Sequence, residues 1–425
     1  MLASRNGRRD SLTIRARLVD PVEGRDGPAS VTIEDGVVTA VEAVASAPAG
    51  LVLAPAFVDP HVHLRTPGRE DEETIVSGTE AAAAGGYCAI VAMPNTDPVV
   101  DTAPVLRALV EQALEEAVVP TGFTAAISKG QRGEELTEMA ELAAAGAVAF
   151  TDDGRPVASA GLMQRALAYS AVADRPLALH CEEPALSRDG QMHEGAVSAA
   201  LGLAGWPSVA ESLMVERDLA LAAYEHRPVH LQHLSARASV DAVRRARAAG
   251  VRVSAEATPH HLCATDELVR TLDANAKMNP PLGSEDDRRA LVEGIVDGTI
   301  DCIGTDHAPH ARHEKDVPFE QAPFGVTGLE TAFGALHTFL VRDGQVPLAT
   351  LLERLSAGPA RALGLPVPRI AVGEPAHLVL LDLEAEWTVR EEAFRSRSAN
   401  SWLLGQTLVG AVVRTVAAGR VVFSA

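Results

Sequence analysis

The chain has 425 residues, 47% of them hydrophobic, which suits one large α/β barrel or two to three smaller units. Its 37 basic and 57 acidic residues give a formal net charge of -20, which excludes a broad electrostatic grip on nucleic acid or an anionic membrane but leaves room for one local positive pocket. No unbroken apolar run of about 18 residues occurs, and the opening "MLASRNGRRD" leads into no signal-like core, so a cytoplasmic protein without a membrane partner is expected.

The first 50 or so residues read as short strands and turns. "SLTIRARLVD" is followed by "ASVTIEDGVVTAVEAV", where Asp35-Gly36 marks a hairpin between two β-rich pieces. From about Leu53 to Leu365 the pattern changes to apolar β-run, polar loop and Ala/Leu-rich helix, repeated. The strand candidates in order are "APAFVDPHVH", "CAIVAMPN", "FTAAI", "AVAFTDDG", "PLALHCEE", "PVHLQHLS", "VRVSAEATPHH" and "DCIGTDHAPH". Helices are predicted over Glu72 to Ala84, Asp101 to Val118, Leu136 to Ala145, Leu162 to Ala171, Val209 to His226, Arg237 to Ala249, Asp286 to Asp297 and Leu329 to Leu340. Asp71 and Glu72 suit the N-terminus of the first, and Gly85-Gly86 its end. The chain closes on two more β-rich pieces, "HLVLLDLEAEWTV" and "VVRTVAAGRVVFSA".

Eight βα units with short, continuously apolar strands favour a closed (β/α)8 TIM barrel over an open doubly wound sheet. Neither β-rich end is large enough to bury a good core alone. The expected organisation is therefore a catalytic barrel over residues 54–365 and a small β-sandwich domain built from both termini, residues 1–53 and 366–425. Cys88, Cys181, Cys263 and Cys302 form no CxxC pair and mostly sit in apolar runs, so buried thiols are expected.

Nearly every strand candidate begins apolar and ends in His, Asp, Asn or Glu, and barrel chemistry gathers at the C-terminal strand ends. In "FVDPHVHLR", His61 and His63 stand at i and i+2, on one side of a strand about 7 Å apart. Other strand ends add His180, His230 and His233, the pair Asp152/Asp153, and Asp306, His307 and His310. Imidazoles and carboxylates converging from several strand ends are the donor set of zinc or a similar divalent ion. His233 lies nearer its strand end than His230, which reads as a wall residue or a partner behind a ligand. Of Asp152 and Asp153, one carboxylate could bridge two ions while the other caps the following turn; periodicity does not choose between them.

The stretches "DPHVHLR", "AMPNT", "FTDDG", "HCE", "HLS", "TPHHL", "NAKMNPPL", "GTDHAPH" and "APFGVTGLE" together resemble the dihydroorotases of the amidohydrolase superfamily. The likeness is to the long bacterial, aspartate-bridged kind. It implies zinc, one or two ions per subunit, with His61, His63 and Asp306 holding the more buried ion and His180 and His233 the second. Asp153 would bridge them in place of the carboxylated lysine of hydantoinases and allantoinases, since "GAVAFTDDGRPV" contains no lysine.

The implied reaction interconverts N-carbamoyl-L-aspartate and L-dihydroorotate plus water, a step of pyrimidine biosynthesis. Asp306 would serve as general base and then acid. Arg65 offers a bidentate fork for the substrate carboxylate. The resemblance adds Asn95 and His310 to that grip, sets His63 at the substrate, and directs Asn279 and the Phe324-Gly325 backbone to the ring amide. A homo-oligomer and a complex with aspartate carbamoyltransferase are further expectations from the resemblance. The competing readings are a hydantoinase or allantoinase, against which Arg65 and the missing lysine argue, and a weakly active barrel scaffolding aspartate carbamoyltransferase.

Overall fold

Alternation of inward Ile14, Ala16 and Leu18 with outward polar residues makes β1 (Leu12–Asp20) a strand with one covered face. It pairs antiparallel with β2 (Arg25–Glu34), which turns through Asp35 and Gly36, both left-handed with φ of 47° and 78°, into β3 (Val37–Ala43). A two-residue turn with both positions left-handed matches the twist of a hairpin. β4 (Leu51–Pro55) then leads directly into β5 (Phe57–Val62), all of whose residues are buried. The computed structural model describes residues 1–425.

From β5 the chain winds a parallel barrel through β6 (Tyr87–Ala92), β7 (Thr121–Phe123) and β8 (Leu177–Leu179). Between β7 and β8 the fourth barrel strand is reduced to Phe150, bridged to Ala125 on one side and Leu177 on the other. A short parallel pair, β9 (Met192–His193) and β10 (Gly205–Trp206), forms an excursion that no periodicity announced. β11 (Val229–Leu231), β12 (Val253–Ala257) and β13 (Cys302–Ile303) complete the ring, and a parallel bridge between Val62 and His307 closes it. The eight predicted strands thus occupy the eight places of an α/β barrel around a 73-residue apolar core.

The terminal pieces pair with each other. β14 (Leu378–Thr388), β15 (Thr407–Ala417) and β16 (Arg420–Ser424) join the N-terminal strands in one seven-stranded sheet, ordered β16-β15-β14-β4-β1-β2-β3. That sheet encloses a separate core of 13 residues, among them Leu18, Val31, Leu53, Leu378 and Val416. β4 pairs with both β1 and β14, so the segment entering the barrel is also the seam between the two ends.

The first barrel helix begins at Ile75 rather than at the predicted Glu72. Thr74 is its N-cap, in a reciprocal capping box with Ser77. The reading of Glu72 as a charge serving the helix N-terminus is therefore corrected: Glu72 and Glu73 precede the cap and turn inward, 1% and 0% exposed. The last predicted barrel helix is split into Ala332–Leu336 and a π-turn over His337–Val341. Two helices unmarked by the sequence pattern, Leu348–Leu355 and Ala357–Ala362, seal the N-terminal mouth of the barrel. Ser356 Oγ there donates to the Ala56 carbonyl at 2.7 Å, and a Cβ on Gly358 would lie 2.2 Å from the Asp301 carbonyl oxygen. No helix is long and apolar enough to cross a membrane, and all four cysteines are free thiols.

One buried carboxylate reinforces the closure. Asp59 in β5 accepts from the His61 amide at 3.0 Å, the Thr305 amide at 3.1 Å and Thr305 Oγ1 at 2.6 Å. It clamps the end of the last strand to the first and shapes the turn that presents His61. Asp59→Ala leaves these donors without a partner in the dry interior, an expected loss of about 3 kcal/mol. Chemical denaturation followed by circular dichroism should show the lower midpoint; an unchanged midpoint would remove Asp59 from the closure.

Candidate metal centre

Four imidazoles and two carboxylates meet at the C-terminal end of the barrel. His61, His63 and Asp306 form one set, and His61, Asp153 and His233 a second, with ligand atoms in each set within 4.8 Å of one another. His61 comes from β5, His63 from the position just past its end and Asp306 from the loop after β13, while Asp153 and His233 come from the loops after Phe150 and β11. Asp153 joins the sets. Its Oδ1 lies 3.4 Å from His61 Nε2 and 3.6 Å from both His180 Nδ1 and His233 Nε2, while its Oδ2 lies 3.5 Å from His63 Nε2. His180 belongs to neither compact set, yet its Nδ1 is 2.9 Å from His233 Nε2. Asp306 Oδ1 is 3.0 Å from His63 Nε2 and 3.5 Å from His61 Nε2.

Each of three imidazoles has its second nitrogen anchored elsewhere. His61 Nδ1 is 2.8 Å from Glu256 Oε1, His63 Nδ1 is 2.9 Å from Asn95 Oδ1, and His180 Nε2 is 2.9 Å from Glu182 Oε2. A ring N–H donated outward leaves the other nitrogen as a lone pair facing the centre, the usual arrangement of metal-ligating histidines. His61 Nε2 is the sharpest test of the fit: it is buried, has no hydrogen-bond partner, and faces the two aspartates. The residues present fit a pair of divalent ions of zinc type, given imidazole and carboxylate donors and the shared Asp153.

The electrostatics agree. Burial by itself would raise the carboxyls, but the imidazoles override it. His61, with His180 and His233, holds Asp153 well below the ordinary carboxylate range. Asp306 falls to about 2, with His61 and His63 outweighing burial. Burial would also lower the imidazoles, yet His180 rises to about 10 against it because of Asp153 and Glu182. For His61 the charges of Asp153, Asp306 and Glu256 likewise overcome desolvation and raise it well above its usual value. The site is built to hold positive charge between buried anions.

The neighbouring aspartates separate cleanly. Asp152 turns away and accepts from the Ile127 amide at 2.8 Å, the Ser128 amide at 3.1 Å and the Ser128 hydroxyl. Burial lifts its carboxyl to about 6. His230 lies behind the centre, its Nε2 3.1 Å from Glu256 Oε2. His307 also points away, with Nε2 3.1 Å from Glu73 Oε2.

Beside the centre opens a cavity of about 180 Å³ lined by His63, Arg65, Asn95, Asp153, His180, His233, Asn279, Asp306, His310, Phe324 and Gly325, among others. Arg65 presents its fork there: Nε donates to the Pro309 carbonyl at 3.1 Å and lies 2.9 Å from Glu72 Oε2, while its terminal amino groups make no hydrogen bond to protein. Asn95 Nδ2 donates to Asp153 Oδ2 at 3.3 Å. Asn279 Nδ2 donates to Glu182 Oε2 at 3.3 Å, leaving Asn279 Oδ1 without a partner. His310 Nε2 lies 2.8 Å from the Phe324 carbonyl oxygen. The Gly325 amide donates to the Lys277 carbonyl at 2.9 Å, and its φ of 132° is one that a side chain would strain. Lys277 Nζ sits 4.8 Å from the Phe324 ring centroid, and burial lowers its ammonium to about 8. Arg65, His233 and Asp306 have left-handed backbones, with φ of 56°, 30° and 48°. Such conformations in non-glycine residues cost of order 1–3 kcal/mol and cluster at functional sites.

Sequence reasoning passed over Glu256, Gln232 and Glu182, and gave Glu72 only the helix N-terminus. Glu256 had one visible signal, a charged residue inside the apolar run "VSAEA". Gln232 Oε1 accepts from Thr151 Oγ1 at 2.9 Å and its side chain packs beside His61, with nothing local to mark it.

The Dihydro-orotase-like family model matches residues 50–239. A dihydroorotase of Anaeromyxobacter dehalogenans strain 2CP-C is 46% identical over 416 residues, covering 96% of this chain and 96% of that protein. A dihydroorotase of Caldanaerobacter subterraneus subsp. tengcongensis is 43% identical over 392 residues, or 92% of this chain and 89% of the relative. Among solved structures, the L-hydantoinase (dihydropyrimidinase) from Arthrobacter aurescens superposes with a TM-score of 0.85 at 26% identity, covering 95% of this chain and 94% of that one. The aspartate-joined centre, on a barrel shared with hydantoinases and in a sequence matched along nearly its whole length by dihydroorotases, places the chain in the dihydroorotase family.

Proposed function

We propose that the chain is a zinc-dependent dihydroorotase, interconverting N-carbamoyl-L-aspartate and L-dihydroorotate plus water. The observation that carries this reading is the juxtaposition of the Asp153-joined centre with the open fork of Arg65 in one cavity. A cyclic amide alone needs only the centre; a cyclic amide bearing a carboxylate needs the arginine as well. Zinc held by His61, His63 and Asp306, and by His180 and His233 with Asp153 between, would supply an acidified water and polarise the amide carbonyl.

The chain's own groups do the rest. In the hydrolytic direction a C–O bond forms at the ring carbonyl and the C–N bond breaks. Asp306 takes the proton of the attacking water and returns it to the departing ring nitrogen; ring closure runs the same transfers in reverse. Arg65, with Asn95 and His310, fixes the substrate carboxylate, while Asn279 and the Phe324-Gly325 backbone hold the amide face. Glu256 keeps the His61 tautomer by taking its Nδ1 proton in a hydrogen bond, so that Nε2 remains a ligand. Residence in the cytoplasm, self-association and association with aspartate carbamoyltransferase belong to the same proposal and rest on the family resemblance.

Purified protein assayed with L-dihydroorotate and with hydantoin should turn over the first and leave the second nearly untouched. The reverse preference would sink the dihydroorotase reading in favour of a hydantoinase. Asp306→Asn should cost at least about 100-fold in kcat, whereas Arg65→Ala should act chiefly on KM; full activity in the first variant would refute the proton-transfer role. Glu256→Gln should weaken zinc retention by about 10- to 100-fold in competition with a chelator. Unchanged retention would reduce Glu256 to a packing residue.

A further inference from the structure

We infer that Glu72 is the positioning residue of the carboxylate grip, holding Arg65 and His310 in one geometry although it belongs neither to the metal centre nor to the cavity lining. The inference rests on the dihydroorotase reading above. Glu72 is 1% exposed and uses both carboxylate oxygens. Oε2 lies 2.9 Å from Arg65 Nε, and Oε1 lies 3.2 Å from His310 Nδ1 and accepts from Arg69 Nη2 at 2.8 Å. Arg69 Nη2 also reaches Glu314 at 2.6 Å, which ties the loop after β5 to the segment after β13.

The arrangement has a direct consequence for the fork. An arginine in a water-poor pocket needs an anion, and the edge at which that anion sits decides which N–H groups stay available. The Pro309 carbonyl accepts the Nε–H and Glu72 Oε2 sits against the same edge as its counter-charge, so the terminal amino groups are left for a ligand carboxylate. Glu72 is itself held from behind, since Ser398 Oγ donates to its backbone carbonyl at 2.7 Å. Adjacent Glu73 accepts from Ser396 Oγ at 2.5 Å and from the Arg397 amide at 3.1 Å. Three segments distant in sequence therefore meet at this pair of glutamates. An amide in place of the Glu72 carboxylate must aim its NH2 either at Arg65 Nε or at Arg69 Nη2, donor against donor, and in both cases removes the charge that faces the two arginines.

The test is steady-state kinetics with L-dihydroorotate on wild type, Glu72→Gln, Arg65→Ala and the double variant, with zinc content and thermal midpoint measured on each. Glu72→Gln should raise KM by at least about tenfold and change kcat by less than about threefold, with zinc content unchanged. The double variant should raise KM by clearly less than the product of the two single effects, because most of the action of Glu72 runs through that arginine and only the rest through His310. A wild-type KM in Glu72→Gln, a loss confined to kcat, or additive effects in the double variant would overturn the inference. Should Glu72→Gln fail to fold, Glu72→Asp carries the same test, keeping the charge with a shorter reach: a raised KM supports the role and a wild-type KM overturns it. Wild-type protein inactive on dihydroorotate would instead overturn the underlying reading, and this inference with it.

Discussion

A carboxylate confined in a nearly dry pocket must be met by positive charge, and Asp153 imposes that requirement on the whole C-terminal face of the barrel. No single element could meet it. Imidazoles from β5, from the end of β8 and from the end of β11 converge on its two oxygens at 3.4 to 3.6 Å. A closed parallel barrel makes such convergence possible, because its strand ends point at one axis. The Asp59 clamp between the first and last strands, and the helices sealing the opposite mouth, hold that geometry.

Behind the ligands lies a second layer that decides which atoms face inward. Glu256, Asn95 and Glu182 each engage one ring nitrogen and so turn the other to the centre. Glu256 does more, since it also receives the His233 amide at 3.1 Å and contacts His230. Its carboxyl stays low despite full burial because His61 and His230 face it. The cavity side follows the same logic at lower charge, with the Pro309 carbonyl on the Nε–H of Arg65 and Glu72 as the counter-charge at that edge.

The barrel was legible because its signals are local: apolar runs, Ala-rich helices and polar strand ends repeat within a few residues of each other. His61, His63, His180, His233 and Asp306 were legible for the same reason, each standing at the end of its own run. Asp152 and Asp153 were not separable, because the difference lies in partners far along the chain: Ile127 and Ser128 for one, His61 for the other. Glu256 meets His61 across 195 residues, and Glu72 meets His310 across 238, so neither has a sequence neighbourhood that reveals its role. Glu72 was misread for a specific reason. Its position before a helix gave acidic charge a ready local explanation, and Thr74 with Ser77 in fact supplies the cap. The fourth barrel strand was legible in "AVAFTDDG" although it narrows to Phe150, whereas the excursion carrying β9 and β10 escaped because two-residue ladders leave no periodicity.

Likeness of fold reaches across to a hydantoinase at a TM-score of 0.85, so the barrel itself does not select the ring it opens. The proposed function rests that selection on side chains, on Asp153 within the centre and Arg65 in the cavity beside it. The central claim is that Asp153 is the shared ligand of a two-ion centre. Anomalous diffraction at the zinc edge, on crystals of the zinc-loaded protein, tests it most directly. The account predicts two peaks per chain, one among His61, His63 and Asp306 and one beside His180 and His233, each in contact with a different oxygen of Asp153. A single peak, or two peaks neither of which touches Asp153, would contradict it.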